Sequence, residues 1–520
     1  MTTLEPQQKD EEELSHRQVM EILFGLLAAL FTGLISSTIV STALPTIIGD
    51  LGGTQNQYTW VVTISLLAMT VTTPIWAKLS DLLSKKMLVQ TAIIAFVIGS
   101  IVAGFSQNMA EVFAGRALQG LGMGGLTALT QSIMGSIIPP RERGRYSGYM
   151  AGTMAVAMFS GPLLGGVMVD TLGWRWCFFV CIPLAVLSSI ILQKYLFLRP
   201  VKREVRIDYF GALFIALAAS LPLVWVSLAG NQFAWASGES AAFVVGAIVA
   251  IGIAIAIEAK HPEPLISLAI MRDRTTALAI IVSVTVGLAQ FGSSVFLSQY
   301  FQTAQGFSPT EAGLLMMPTI VGTLIGSTFS GNMISRTGYW KRYLVSGCVL
   351  LIIGLGFMSI IDHNTPVWHL SIGMVMLGLG TGMLMQNLVL AVQNTVDVTD
   401  VGAASGAVAF FRTLGGAIGV SVLGAILASR VNGNIAQGFS DAGIDPAKAT
   451  DGGSLLNLDK LSGPVLHIVE TSYADATGRI FLIGAIIAII SLVAVSFIKE
   501  VPLRTTVRKE PVDPVSAVES

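Results

Sequence analysis

Fourteen long apolar runs divide the chain, near 21–44, 59–80, 87–106, 111–137, 146–169, 176–197, 209–230, 240–258, 276–302, 310–334, 342–361, 366–394, 403–429 and 478–498. A bilayer core about 30 Å thick is crossed by roughly 20 helical residues, so each run is long enough to span it. A membrane barrel would need strands of about ten residues with alternating polarity, and these runs are continuous and longer. Composition agrees, with 53% hydrophobic and 12% charged residues, where an average soluble domain carries roughly a quarter charged. That excludes an ordinary soluble enzyme and an intrinsically disordered chain. The expected fold is an all-α integral membrane protein with 14 transmembrane helices.

The basic residues test this count, because cytoplasmic segments carry the excess of Lys and Arg. With the N-terminus inside, 23 of the 30 basic residues fall in inner segments and 5 in outer ones, leaving Arg116 and Arg412 within spans. A missed or invented span would invert every later loop, so the parity predicts both termini in the cytoplasm, with tails at 1–19 and 501–520. The first run follows an acidic stretch and is too long for the core of a signal peptide. A net charge of −1 without a basic aromatic patch gives no reason to expect a nucleic-acid partner. Cys177, Cys181 and Cys348 lie in apolar runs without His or acidic neighbours, so packing is expected, with no metal and no disulfide framework. Trp60, Trp225, Trp340 and Trp368 fall near predicted interfaces and read as belt anchors.

Two tight basic inner loops, Ala77 to Lys86 and Gly331 to Arg342, lie eight spans apart. A six-helix half, two inserted helices and a second six-helix half would give that offset. The predicted organisation is a bundle over 20–200, two inserted helices over 201–262, and a bundle over 263–500 with a long external loop at 430–477. Leu455 to Leu461 in that loop has the punctuation of a short amphipathic helix.

Four stretches resemble the major facilitator superfamily, specifically its fourteen-helix drug/proton antiporter branch. They are Thr38-Ile39-Val40-Ser41-Thr42-Ala43-Leu44-Pro45 in span 1, the loop around Asp81, Arg116-Ala117-Leu118-Gln119-Gly120 in span 4, and Gly161-Pro162-Leu163-Leu164-Gly165-Gly166 in span 5. The resemblance implies that Gly161, Pro162, Gly165 and Gly166 form a hinge sealing the outer mouth. Ordinary tight packing of small residues is the plain alternative. It implies that Asp81 latches onto the start of span 13, with Arg143 or Arg145 nearby, against the plain reading of a solvated acid. It also matches Arg116 to the family's coupling arginine. Ala77 and Ser84 replace the two glycines of the Asp81 signature, which weakens the expectation of close helix approach there.

A buried Arg costs roughly 2.5–3.5 kcal/mol on insertion scales, so Arg116 and Arg412 should face the bundle interior and find partners. Gln119, Gln131 and the span-12 amides Gln386, Asn387, Gln393 and Asn394 are candidates. Where relatives of this family often carry Asp in span 1, this chain has Ser36, with Thr38 following. No Asp or Glu falls in the middle of any span. The substrate cavity is therefore expected to use Ser36, Thr38, Gln131, the amide stripe and Arg412, and to favour neutral, zwitterionic or anionic amphiphiles over permanent cations. Proton coupling would run through acids at span ends, Asp81 and Glu311 first. The expectation is a monomeric plasma-membrane exporter of hydrophobic or amphipathic small molecules. It would need no cofactor, with the proton gradient as energy source. A lipid exporter of the same fold is the first rival and a non-transporting receptor or scaffold the second. Membrane enzymes need clustered His, Asp, Glu or Cys at depth, and the sequence offers no such cluster.

Overall fold

The computed structural model describes residues 16–137, 143–196, 208–229, 233–261, 268–396, 401–443 and 463–501. They fold as helices joined by short turns: α1 (His16–Asp50), α2 (Gln55–Leu82), α3 (Lys85–Gly104), α4 (Met109–Ile137), α5 (Arg143–Thr171), α6 (Trp176–Phe179), α7 (Cys181–Tyr195), α8 (Tyr209–Leu228), α9 (Gly238–Glu258), α10 (Leu268–Met271), α11 (Arg274–Thr303), α12 (Pro309–Leu315), α13 (Met317–Thr337), α14 (Lys341–Met358), α15 (Val367–Thr395), α16 (Val401–Ala442) and α17 (Pro464–Phe497). Among the described residues, 11 stretches are long and apolar enough to cross a membrane, two of them running through α6–α7 and α12–α13. The junction residues Val180 and Met316 keep right-handed helical angles, so each pair continues as one rod. Helix α8 carries a shorter apolar stretch, and α4 and α5 have 29 residues each. The chain is a multi-pass membrane protein.

Helix starts follow from short polar side chains at the turns. Thr54 and Ser308 form capping boxes with Gln57 and Glu311, and Asp208, Ser237 and Asp273 cap α8, α9 and α11. Pro45, Pro74, Pro162 and Pro222 sit inside helices, which neighbouring membrane helices tolerate by re-satisfying the freed backbone groups. In the turn between α2 and α3, Ser84 has φ −58°. A serine therefore occupies this turn without strain.

Glycines set the close crossings. In α4, a Cβ at Gly122 or Gly115 would meet the α3 backbone 2.6 Å away, and Gly124 packs on Thr72 and Met69 of α2. The pattern recurs eight spans on, where Gly380 lies against α14 and Gly378 and Gly382 against α13. So α4 sits between α2 and α3, as α15 sits between α13 and α14. Helix α11 is buried along nearly its whole length, against α16, α17, α15 and α1. Helices α8 and α9 pack on each other, and α8 also touches α2 and α16.

The external loop expected over 430–477 is corrected at both ends. Helix α16 continues to Ala442 and α17 begins at Pro464. The sequence from Arg430 is polar overall, yet Val431, Ile435 and Phe439 recur every fourth residue and are buried. That stripe faces α17: Gly438 meets Ile468, and Asn434 donates to Asp475 at 3.0 Å. The amphipathic run expected at Leu455–Leu461 lies outside the described residues. Trp340 is also not a belt anchor. It is fully buried and donates through its indole to the Val501 carbonyl at 2.9 Å, while Glu500 accepts from the Trp340 and Lys341 amides.

Candidate functional site

The turn between α1 and α2 marks one end of the molecule, here the turn end; the described chain starts and finishes at the other, the tail end. Helices α1–α7 meet α11–α17 along a seam that is tied at the turn end. Gln55 and Gln299 exchange side-chain hydrogen bonds at 3.1 and 2.6 Å, and Tyr473 donates to Gln55 at 3.3 Å. Tyr58 donates to the Val295 carbonyl at 3.1 Å and Gln302 to the Thr42 carbonyl at 2.9 Å. Deeper along the seam, the hydroxyls of Thr63 and Ser421 are 3.0 Å apart. These groups are buried, and each finds its partner across the seam, so closure leaves few polar groups stranded.

The glycine–proline stretch of α5 presents two faces. Gly161 and Gly165 receive α1: a Cβ at 161 would overlap the Thr38 side chain, and one at 165 would lie 2.9 Å from the Ile39 carbonyl oxygen. Pro162 and Gly166 face α12 instead, Gly166 against Pro309 and Thr310 and the Pro162 carbonyl against Gly313. One signature thus holds α5 to its neighbour α1 and brings it against the opposite helix set.

Toward the tail end the same seam is less tightly packed. Along α2, residues 58–63 are buried apart from Trp60, whereas residues 71–76 are only partly buried and Ala77 is exposed. Over those turns α2 keeps one packed face, toward α4, where Gly124 lies against Thr72 and Thr73 and the Trp76 indole donates to the Leu121 carbonyl at 3.1 Å. Residues 411–414 of α16 are likewise half-buried, against the mostly buried run 415–423. The seam is therefore closely packed at the turn end and more loosely packed toward the tail end.

Arg116 is fully buried on α4 and satisfied without an acid. Its Nε donates to the Val61 carbonyl at 3.2 Å and its Nη1 to Gln119 Oε1 at 2.9 Å. Gln119 in turn donates to Ser100 at 2.8 Å and Ser36 at 3.4 Å. Ser36 therefore joins a polar network, centred on Arg116 and free of acids, that ties α1, α2, α3 and α4 together. Thr38 donates to carbonyls of its own helix at 3.0 and 3.3 Å and lies at 3.5 Å from that of Ala157.

The amide stripe of α15 does not line one cavity. Asn387 is buried against α13, donating to Ser330 at 2.9 Å, and Asn394 donates to the Val501 carbonyl at 3.0 Å. Spacing of seven residues placed both on one face, but the chain beyond α17 and helix α13 occupy it. Gln393 is half-buried on α15. Arg412 is half-buried, its side chain makes no hydrogen bond or ion pair to a described residue, and its carbonyl meets Gly287 of α11. Glu311 is exposed and engaged in its own capping box, accepting from the Ser308 amide at 2.9 Å and hydroxyl at 3.0 Å. Asp81 lies in the last turn of α2 and Arg143 and Arg145 in the first turn of α5. Their side chains, with those of Gln131 and Gln386, fall outside the described positions, and so does the expected latch.

Sequence reasoning missed Gln55, Gln299, Gln302 and Tyr58. Each stands at a helix end where polar residues are ordinary, and only pairing across 237 to 260 residues of chain reveals them. Cys177, Cys181 and Cys348 are buried free thiols. Among the described residues no group of three or more His, Cys, Asp or Glu is placed to hold a metal.

Comparison with known proteins places this geometry. The model of the Major Facilitator Superfamily matches residues 26–420. An uncharacterised MFS-type transporter of Mycobacterium tuberculosis is 33% identical over 486 residues, covering 93% of this chain and 69% of that protein. The multidrug transporter protein MdtP of Bacillus subtilis is 27% identical over 507 residues, 93% of each chain. Among solved structures, a bacterial homolog of the human lysosomal transporter Spinster, in an inward-facing and unoccupied conformation, superposes with a TM-score of 0.63 at 15% identity. That match covers 93% of this chain and 98% of the other.

Proposed function

This chain belongs to the major facilitator superfamily of membrane transporters, and from that premise we propose that it is an exporter of hydrophobic or amphipathic small molecules. In this reading it works by alternating access and is driven by the proton gradient. Two six-helix bundles, α1–α7 and α11–α17, flank the inserted pair α8–α9, giving the fourteen-span antiporter plan. The recurrence of the α2–α3–α4 crossing in α13–α14–α15 supports that division. The protein would sit in a bacterial plasma membrane as a monomer with both termini cytoplasmic, so that the tail end faces the cytoplasm and the turn end faces outward.

One observation carries the reading: the seam between the bundles is tied at one end by buried reciprocal hydrogen bonds and is more loosely packed at the other. In this reading that asymmetry belongs to an inward-facing state, ready to take substrate from the cytoplasm or inner leaflet. The likeness to a multidrug transporter supports the substrate class. Among the described residues no carboxylate lies at mid-span, and the buried charge there is Arg116, so neutral and anionic amphiphiles suit the cleft better than permanent cations. The test is transport in proteoliposomes with imposed pH gradients across cationic, neutral and anionic amphiphiles. Gradient-driven movement of neutral or anionic compounds is expected. Fastest movement of quaternary ammonium dyes overturns the charge preference, lipid movement alone selects the lipid-exporter reading, and no movement of any compound removes the exporter.

A further inference from the structure

Pro162, Gly166 and Asp170 lie at intervals of four on α5, so they share one helix face, and all three meet α12. The first two bring backbone against backbone. Asp170 does something different: its Oδ2 accepts from the Thr310 amide at 3.1 Å and also from the Thr310 hydroxyl. Thr310 is the second residue of α12, where the helix has amides without intrahelical partners. A carboxylate supplied from α5 thus caps the helix that opens the opposite bundle. We propose that Asp170 is the positioning residue of the outer gate, a charge-to-helix tie that holds the turn end shut and is broken and remade in each transport cycle.

Its surroundings suit a reversible tie. Asp170 is exposed, and an exposed charge at a helix start contributes modestly because water screens it. The other charged groups near this end are committed elsewhere. Asp50 accepts from the Trp174 indole at 2.8 Å, Arg175 stacks on Trp174 and donates to the Ser106 carbonyl at 3.2 Å, and Glu311 serves its own capping box. No basic side chain among the described residues contacts Asp170, so the contact depends on the α12 amide and hydroxyl.

This inference rests on the alternating-access reading, so its test has a readout that does not need transport. Spin labels are placed on the full chain at Leu172→Cys and Leu314→Cys, both exposed at 60% and 46% and on opposite sides of the gate; the native cysteines are buried. In lipid nanodiscs the unsubstituted background is expected to give one short distance. Asp170→Asn and Asp170→Ala are expected to raise the ratio of long to short distances by roughly two- to tenfold, the size of a lost charge–helix contact. Glu311→Gln, which removes an acid from α12 while keeping its capping box and the inter-bundle tie, should leave the distribution unchanged. Unchanged distances in both Asp170 variants overturn the proposal, and so does equal opening by Glu311→Gln, since the effect would then belong to α12 alone. Failure of the unsubstituted protein to move any amphiphile would count against the exporter and leave the distance result to judge the gate.

Discussion

Arg116 and Arg412 look alike in sequence, each a lone basic residue inside an apolar run, yet the structure separates them. Arg116 donates to Val61 and Gln119 within a closed polar network, so its loss strands the buried Gln119 oxygen, while the Val61 carbonyl keeps its place in the α2 hydrogen-bond ladder. Arg116→Ala is expected to lower stability by about 2 kcal/mol, the cost of stranding a buried polar group. Arg116→Lys should recover only part of this, because an ammonium cannot reproduce the two-sided guanidinium geometry. Arg412, half-buried and without a described side-chain partner, should behave in the opposite way, with Arg412→Ala leaving the unfolding midpoint nearly unchanged while altering transport of anionic amphiphiles. Thermal unfolding in detergent alongside vesicle transport separates the two effects, and a large drop in midpoint for Arg412→Ala would show a structural arginine. Gln119 was legible as the partner of Arg116 because three residues on a helix is one turn. Gln55 with Gln299 was not, since no local pattern joins residues 244 positions apart.

At the level of helices, the glycines of α5 divide their work by face. Gly161→Ala would press on Thr38 of α1, a contact within one bundle, and is expected to cost about 1–3 kcal/mol by overpacking. Gly166→Ala would press on the backbone of α12 across the gate. Its expected effect is a population shifted toward the open turn end, read as faster labelling of a cysteine placed at Thr63, with little change in midpoint. Gly356 in α14 meets nothing within 4 Å, so Gly356→Ala should be neutral or stabilise by up to about 1 kcal/mol, the helix preference for alanine. Equal labelling for Gly161→Ala and Gly166→Ala would deny the division. Apolar length told where these helices lie because transfer energy summed over some twenty residues outweighs local detail. The ends were less visible: the outer turns of α16 hold their core contacts through Val431, Ile435 and Phe439 amid polar neighbours, and hydropathy alone reads such a segment as loop.

Across the whole molecule, the question is where a proton could enter the cycle. The sequence left Asp81 and Glu311 as the leading acids, and the structure changes their standing. Glu311 spends its carboxylate on the Ser308 amide and hydroxyl at the start of α12, a role that a neutral Gln serves almost as well in a capping box. Asp81 lies in the last turn of α2, the helix that borders the loosely packed part of the seam, and it remains the acid proposed for coupling. Transport driven by an imposed pH gradient should therefore survive Glu311→Gln and collapse in Asp81→Asn, while exchange of substrate without a gradient persists in both. The asymmetry follows from geometry at the two ends: the turn end is tied by buried amides and hydroxyls, whereas α2 is more loosely packed toward its tail end. Full gradient-driven transport by Asp81→Asn would move the coupling site to another acid, and loss of it in Glu311→Gln would mean that the cap of α12 titrates during the cycle.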